Sequence, residues 1–321
     1  MSDINQRSRP AAEPLVWGVA CALGAGLAWG IVFVAPLVLA DYPPAMLAFG
    51  RYLAFGLIAL PLAWRDRVRL LALRPADWRA AFELALSGNI TYYLCLAAAI
   101  QLADAPLPTM IIGTLPVVIA IVANLHEGGM PWLRLLPSLG VIAAGIMLVN
   151  QAELLALDGV RNLSDYLLGA LAALGALLAW TWYPVRNSRW LRLHPELNSA
   201  TWATAQGVAT LPLAAVGMAG CLAWYSLKGG LAMPLGPRPW AFTGWMLAIG
   251  LSASWLGTLL WNRASQLLPT ALVGQLIVFE TLAALAYAFV WRGVFPGAEV
   301  LGGVALLVAG VVLGVRAFGR P

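Results

Sequence analysis

Apolar residues run through this chain in long, nearly unbroken stretches, separated by short segments that collect the arginines, prolines and acidic residues. A helix that crosses a bilayer needs about 20 apolar residues at a rise of about 1.5 Å each. The pattern divides into ten such spans: Trp17 to Leu39, Met46 to Trp64, Phe82 to Leu102, Leu107 to Leu125, Leu135 to Val149, Leu167 to Tyr183, Thr201 to Trp224, Trp240 to Trp261, Thr270 to Val290 and Leu301 to Val315. A transmembrane β-barrel would instead alternate apolar and polar residues in shorter segments. The stretch Leu167 to Ala179 is apolar on every side, so the predicted fold class is an all-α integral membrane protein.

Composition agrees. Of 321 residues, 61% are hydrophobic and 10% charged, against about 25% charged in a soluble domain. Mean hydropathy is +0.82. So few charges cannot coat a soluble globule. Cys21, Cys95 and Cys221 all fall inside spans, where they read as small packing residues with no disulfide framework. The segment Met1 to Pro14 carries Asp3, Arg7, Arg9 and Glu13. It is too long and too acidic for a secretory leader, and the first span is expected to be an uncleaved anchor.

Basic residues set the orientation, because loops rich in arginine and lysine stay in the cytoplasm. With the N-terminus inside, 14 of the 19 basic residues lie inside, Arg161, Lys228, Arg238 and Arg292 lie outside, and Arg51 lies within a span. Both termini are therefore expected in the cytoplasm, and the net charge of +5 calls for no nucleic acid partner.

The chain also repeats itself. Ala22-Leu23-Gly24-Ala25-Gly26-Leu27-Ala28-Trp29 in the first span matches Ala173-Leu174-Gly175-Ala176-Leu177-Leu178-Ala179-Trp180 in the sixth at all but one position. Later in each half, a constant offset of 165 pairs Ala99-Ile100-Gln101-Leu102 with Ala264-Ser265-Gln266-Leu267, Gly128 with Gly293, Pro131 with Pro296, and Ala144-Gly145 with Ala309-Gly310. Five spans per copy is an odd number, so the second copy must enter the membrane inverted, an arrangement typical of secondary transporters. The expected organisation is a cytoplasmic tail over 1–15, a first five-helix repeat over 16–150, an extracytoplasmic linker over 151–165, a second repeat over 166–317 and a short tail over 318–321. The loop Asn150 to Asp165, with Glu153, Asp158 and Asp165 against one arginine, suits the extracytoplasmic face.

These residues resemble the drug/metabolite transporter superfamily, specifically its EamA-type ten-helix members, over nearly the whole chain. Leu27-Ala28-Trp29-Gly30 followed by Ile31-Val32-Phe33 is similar to the family's Trp-Gly motif in the first helix, and Gly50-Arg51-Tyr52 to its arginine in the second. The stretch from Ala98 through Leu115-Pro116-Val117 to Glu127, then Gly140 and Gly145, resembles the third-to-fifth-helix signature. Glu280 resembles the glutamate that often precedes proline in the ninth helix, although Thr281 replaces that proline and Arg292 stands opposite Glu127 in the repeat. The resemblance implies two inverted five-helix repeats and transport by alternating access.

An ionisable group at the bilayer centre costs roughly 2.5 to 3.5 kcal/mol on the insertion scale, which singles out Glu280 and Arg51. Glu280 is expected to line a central cavity, binding an amino group or cycling a proton; a structural Glu280 to Arg51 pair, or a cap on a broken helix, is the alternative. Asn89, Tyr92, Tyr93 and Leu96 share one helical face, and so do Ser254, Thr258, Trp261 and Asn262. Such stripes read equally as cavity lining and as hydrogen bonding between helices. Trp29, Trp180 and Tyr183, and also Trp255, Thr258 and Gln275, complete the candidate lining. Pro116, Pro184 and Pro212 are candidate kinks, with Pro116 and Pro184 the candidate hinges. His126 and His194 lack a second ligand at metal spacing, and neither catalytic residues nor cofactors are expected.

The expected function is a multi-pass inner-membrane secondary transporter, an exporter of amino acids, amines or drug-like compounds, with protons as a candidate coupling ion through Glu280. Its partners would be a small-molecule substrate and the bilayer, as a monomer or weak homo-oligomer. The competing readings are an exchanger of phosphorylated or nucleotide-linked metabolites, which would want more buried cations than Arg51. A membrane transferase on lipid-linked substrates would want acidic or histidine clusters at a membrane face.

Overall fold

In lipid, backbone N–H and C=O groups have no water to turn to, so each apolar run folds into a helix that satisfies them internally. The computed structural model describes residues 12–39, 41–103, 111–127, 130–155, 163–229, 234–293 and 295–319, and among these the architecture is all-helical. Residues 1–11 and 320–321 of the expected tails, the start of the fourth span and residues 156–162 of the linker, including Arg161, lie outside the described residues.

The first span is α1 (Ala12–Gly30), continued by a 3-10 turn and the short helix Ala35–Val38. There follow α2 (Pro44–Arg65), α3 (75–103), α4 (Leu115–Glu127), α5 (Trp132–Leu155), α6 (Leu163–Leu193), α7 (Ser199–Lys228), α8 (Pro239–Leu267), α9 (270–292, interrupted at Ile277) and α10 (Ala298–Gly319). Starts are marked by residues that suit an unpaired helix N-terminus. Pro44, Pro75 and Pro239 are first residues, and the Asn198 side chain accepts from the backbone N–H groups of Ala200 and Thr201. Gly293, in the left-handed region at φ 64°, closes α9.

Helix bounds differ from the apolar runs at three places. The sixth helix does not end at Tyr183: it runs through Pro184 to Leu193, because one missing backbone donor is tolerated where Asn187 and Ser188 beyond it are fully buried. The fourth span is helical at 111–113, breaks at the turn at Thr114 and resumes as α4, with Pro116 its second residue, a position where the missing N–H is no loss. α5 reaches Leu155 and α6 starts at Leu163, so helix enters both ends of the segment between the halves.

Helices pack in a set that maps onto itself when each is exchanged for the one five places on. α5 lies against α10, α2 against α7 and α4 against α9, while α3 against α6 is mirrored by α8 against α1. The antiparallel α5–α10 contact shows the relation atom by atom. A Cβ on Gly145 would stand 3.0 Å from the Gly303 carbonyl and the Leu307 side chain, and one on Gly310 would meet Ile142 and the Ser138 carbonyl. At an offset of 165 these are the same contact made twice. Small residues also bring α2 and α7 together, Gly56 facing Leu211, and Gly207 facing Phe55 and Ala59. Outward-facing side chains are apolar: Leu171, Leu178, Val216 and Val290 are 64–81% exposed, as a lipid-facing surface requires.

Candidate functional site

The central cavity owes its position to two irregular turns. α3 passes through a π-helical turn at Ala85–Thr91 and α8 through another at Gly250–Leu256, 165 residues later. Such turns open the backbone ladder and re-aim side chains. The fifth residue of each reaches across to a helix of the other half. Asn89 Nδ2 donates to Thr210 Oγ1 on α7 at 2.9 Å, and Ser254 Oγ accepts from Arg51 Nε on α2 at 3.0 Å.

Between them lies a cavity of about 290 Å³, lined by Trp29, Val32, Arg51, Tyr52, Asn89, Tyr92, Tyr93, Leu96, Trp180, Tyr183, Ser254, Thr258 and Glu280. One wall is a continuous aromatic stack. The Trp180 ring lies parallel to Tyr183 at 5.1 Å, faces Tyr92 at 4.8 Å and meets Trp29 edge-on at 5.9 Å. Glycines admit these rings: a Cβ at Gly88 would fall 2.3 Å from Tyr183, and one at Gly257 would fall 2.6 Å from Trp29 Nε1. Across the cavity the Arg51 guanidinium carbon lies 5.0 Å from the Tyr52 ring centre. Glu280 enters one turn into the second segment of α9, after the interruption at Ile277 whose carbonyl accepts from the Glu280 N–H at 2.9 Å. Arg51 and Glu280 line one cavity, yet no side-chain ion pair within 4.0 Å joins them.

A buried polar lattice extends from the cavity along α6, α7 and α8. Tyr183 donates to Gln206 at 2.9 Å, and Gln206 and Trp202 both donate to Asn187 Oδ1. Asn187 in turn donates to Asn262 at 2.9 Å. Asn187, Asn262 and Trp202 have no exposed surface, and every bond here replaces one that lipid cannot offer.

Of the candidates read from the sequence, Glu280, Arg51, Trp29, Trp180, Tyr183, Asn89, Tyr92, Tyr93 and Thr258 come together on this cavity. Two do not. Trp255 turns its Nε1 to Thr204 Oγ1 on α7 at 3.0 Å. Gln275 is fully buried in the seam of α5, α9 and α10, where its Oε1 accepts from Ser138 at 2.9 Å. The stripe on α8 divides as well: Ser254 and Thr258 face the cavity, whereas Trp261 packs behind Trp29 at 5.1 Å and Asn262 joins the lattice. Tyr52 and Val32 line the cavity without having been singled out, although both belong to motifs around Arg51 and Trp29. Each histidine is engaged locally, His126 Nδ1 with the Val122 carbonyl and His194 Nδ1 with that of Trp190.

The model of the EamA-like transporter family matches residues 16–151. The inner membrane protein YtfF of Escherichia coli (strain K12) is 48% identical over 310 residues, covering 94% of this chain and 96% of that protein. The chain belongs to the EamA-like transporter family. It is a helical membrane protein of the drug/metabolite transporter type. A solved chain, described only as the crystal structure of a protein, has the same fold with a TM-score of 0.71 at 18% identity, over 92% of this chain and 95% of that one. Within the EamA-like fold, the cavity sits where the two π turns and the interrupted α9 meet.

Proposed function

We propose that the protein is a secondary active transporter of the inner membrane that exports small zwitterionic metabolites, amino acids foremost, by alternating access between two inverted halves. One observation carries this reading: Arg51 and Glu280, groups of opposite charge type, line one cavity without a direct ion pair within 4.0 Å between them. A solute bearing both a carboxylate and an ammonium group can satisfy both, whereas a simple anion or cation leaves one charge buried and unpaired, which is costly. The stacked rings of Trp29, Trp180, Tyr92 and Tyr183 suit an apolar or aromatic remainder. A volume of about 290 Å³ is at the small end of ligand pockets, which favours single metabolites over nucleotide-linked cargo.

Glu280 is also the natural place for coupling. Its carboxylate can hold either the ammonium of the cargo or a proton, and exclusive occupancy by one or the other makes an antiporter. Efflux of cargo would then be driven by proton entry, with both termini of the chain in the cytoplasm.

Thermal-shift measurements on the purified protein with phenylalanine, phenethylamine and phenylpropionate test the reading. The zwitterion is expected to stabilise most; Arg51→Gln should abolish the advantage over the amine and Glu280→Gln the advantage over the acid. Equal shifts for all three compounds would sink it. In proteoliposomes, transport by the Glu280→Gln protein that still follows an imposed pH gradient would remove the coupling role.

A further inference from the structure

Two arginines occupy matching places in the halves. Arg74 immediately precedes Pro75, the first residue of α3, and Arg238 immediately precedes Pro239, the first residue of α8. Two carboxylates match in the same way. Asp41 stands three residues before Pro44, the start of α2, and Glu196 three residues before Ser199, the start of α7. Exchange of the halves therefore turns the pair Arg238 and Asp41 into the pair Arg74 and Glu196, on opposite faces of the protein.

The two pairs are in different states. Arg238 grips Asp41 through both carboxylate oxygens, with Nε to Oδ2 at 2.8 Å, and gives a further bond to the Val38 carbonyl at 2.8 Å. Tyr42 completes the closure: its hydroxyl accepts from the Arg238 N–H and donates to the Leu235 carbonyl, while its ring stacks on Phe242 at 4.8 Å. On the other face Arg74 turns its Nε to its own helix at Asp77, 3.3 Å away, and its NH2 reaches Glu196 only at 4.0 Å. A cleft of about 580 Å³ opens there, lined by Arg69, Leu73, Arg74, Asp77, Glu196 and Thr201 among others.

We propose that these repeat-related pairs are latches that engage alternately: Arg238 with Asp41 holds one face shut in the conformer seen here, and Arg74 with Glu196 holds the other face shut in the opposite conformer. The proposal rests on the alternating-access reading above. It explains why equivalent loops carry the same charge pair yet close only on one side. An inverted repeat can adopt its second state by exchanging the conformations of its halves, and each latch is then one half's share of a two-state balance.

The test uses full-length protein in oriented vesicles, with Cys21, Cys95 and Cys221 replaced by alanine and the cavity residue Leu96→Cys as the only thiol. A membrane-impermeant maleimide is applied from each side in turn. Exposed ion pairs of this kind shift equilibria modestly, so Asp41→Asn should raise labelling from the face of Asp41 by about two- to five-fold and lower it from the other. Glu196→Gln should do the reverse. The charge-swapped double variant Asp41→Arg with Arg238→Asp should return labelling to the starting pattern and shows that the protein still folds. Labelling from both faces that neither substitution changes overturns the latches while leaving alternating access in place. Labelling confined to one face in every variant overturns both.

Discussion

Asn89 and Ser254 are the same residue of the fold twice over, each the fifth position of a π-helical turn and each hydrogen-bonded to a helix of the opposite half. Their partners differ in charge, and that asymmetry is what makes the cavity polar in a directed way. Thr210 is neutral and its hydroxyl donates a hydrogen bond to the Gln206 backbone carbonyl at 2.7 Å; Arg51 is a cation that must face something.

Ser254→Ala removes the hydroxyl that orients Arg51. Hydrogen bonds to charged groups are worth roughly 1.5–3 kcal/mol, so affinity for carboxylate-bearing ligands should fall by about ten-fold or more. Binding of the corresponding amines should change little. Isothermal titration of the two ligand types distinguishes this from a general loss of folding.

Gly88→Ala should destabilise the protein, since the new methyl group meets the Tyr183 ring at 2.3 Å. That ring cannot simply withdraw: it is stacked on Trp180 and its hydroxyl is bonded to Gln206. Overpacking of this kind costs about 1–3 kcal/mol. A lowered melting temperature in detergent is the expected result; an unchanged one would mean that Tyr183 has room to move.

Asn187→Leu should be more damaging than its conservative volume suggests. It strips a shared acceptor from Trp202 and Gln206 and a donor from Asn262, all inside the protein. Each orphaned buried group costs about 1–3 kcal/mol. Reduced yield of folded protein by size-exclusion profile, with partial recovery in Asn187→Gln, is the outcome to look for.

Acid should weaken the contact between Asp41 and Arg238. The hydrogen bonds from Arg238 hold the Asp41 carboxyl below its ordinary value of 3.8. A depressed carboxylate contributes stability that is complete above its unfolded value and is lost as pH falls through the folded one. Wild type should therefore melt above Asp41→Asn at neutral pH, and the gap should close as the pH drops below 3.8. A gap that persists in acid would assign the difference to something other than this charge.

Charge scarcity made Glu280 and Arg51 legible from sequence, because lipid tolerates so few ionisable groups that each one inside a span needs a reason. Trp29 and Trp180 were legible through the internal repeat, and Asn89, Tyr92 and Tyr93 through simple helical spacing. The same spacing misplaced part of α8. The π turn at Gly250–Leu256 ends before Thr258, which still faces the cavity, so the stripe parts only one turn further on. Trp261 and Asn262 lie beyond that turn, and Trp255 inside it. Gln275 was misread for another reason: in a membrane helix a polar side chain looks identical whether it faces a cavity or a neighbour, and only the fold supplies Ser138. Tyr52 went unread beside Arg51, because adjacent helical positions do not share a face on a regular wheel; here a wide cavity wall accommodates both.

The paired glycine contacts of α5 and α10 have a mechanical consequence. Gly145 on Gly303 and Leu307 is the same junction as Gly310 on Ser138 and Ile142, so the pair straddles the axis that relates the halves. A junction on that axis is identical before and after the halves trade places. In the proposed cycle this seam stays closed throughout as a fixed pivot, while contacts away from it, such as the clasp between Arg238 and Asp41, are the ones that would open and close.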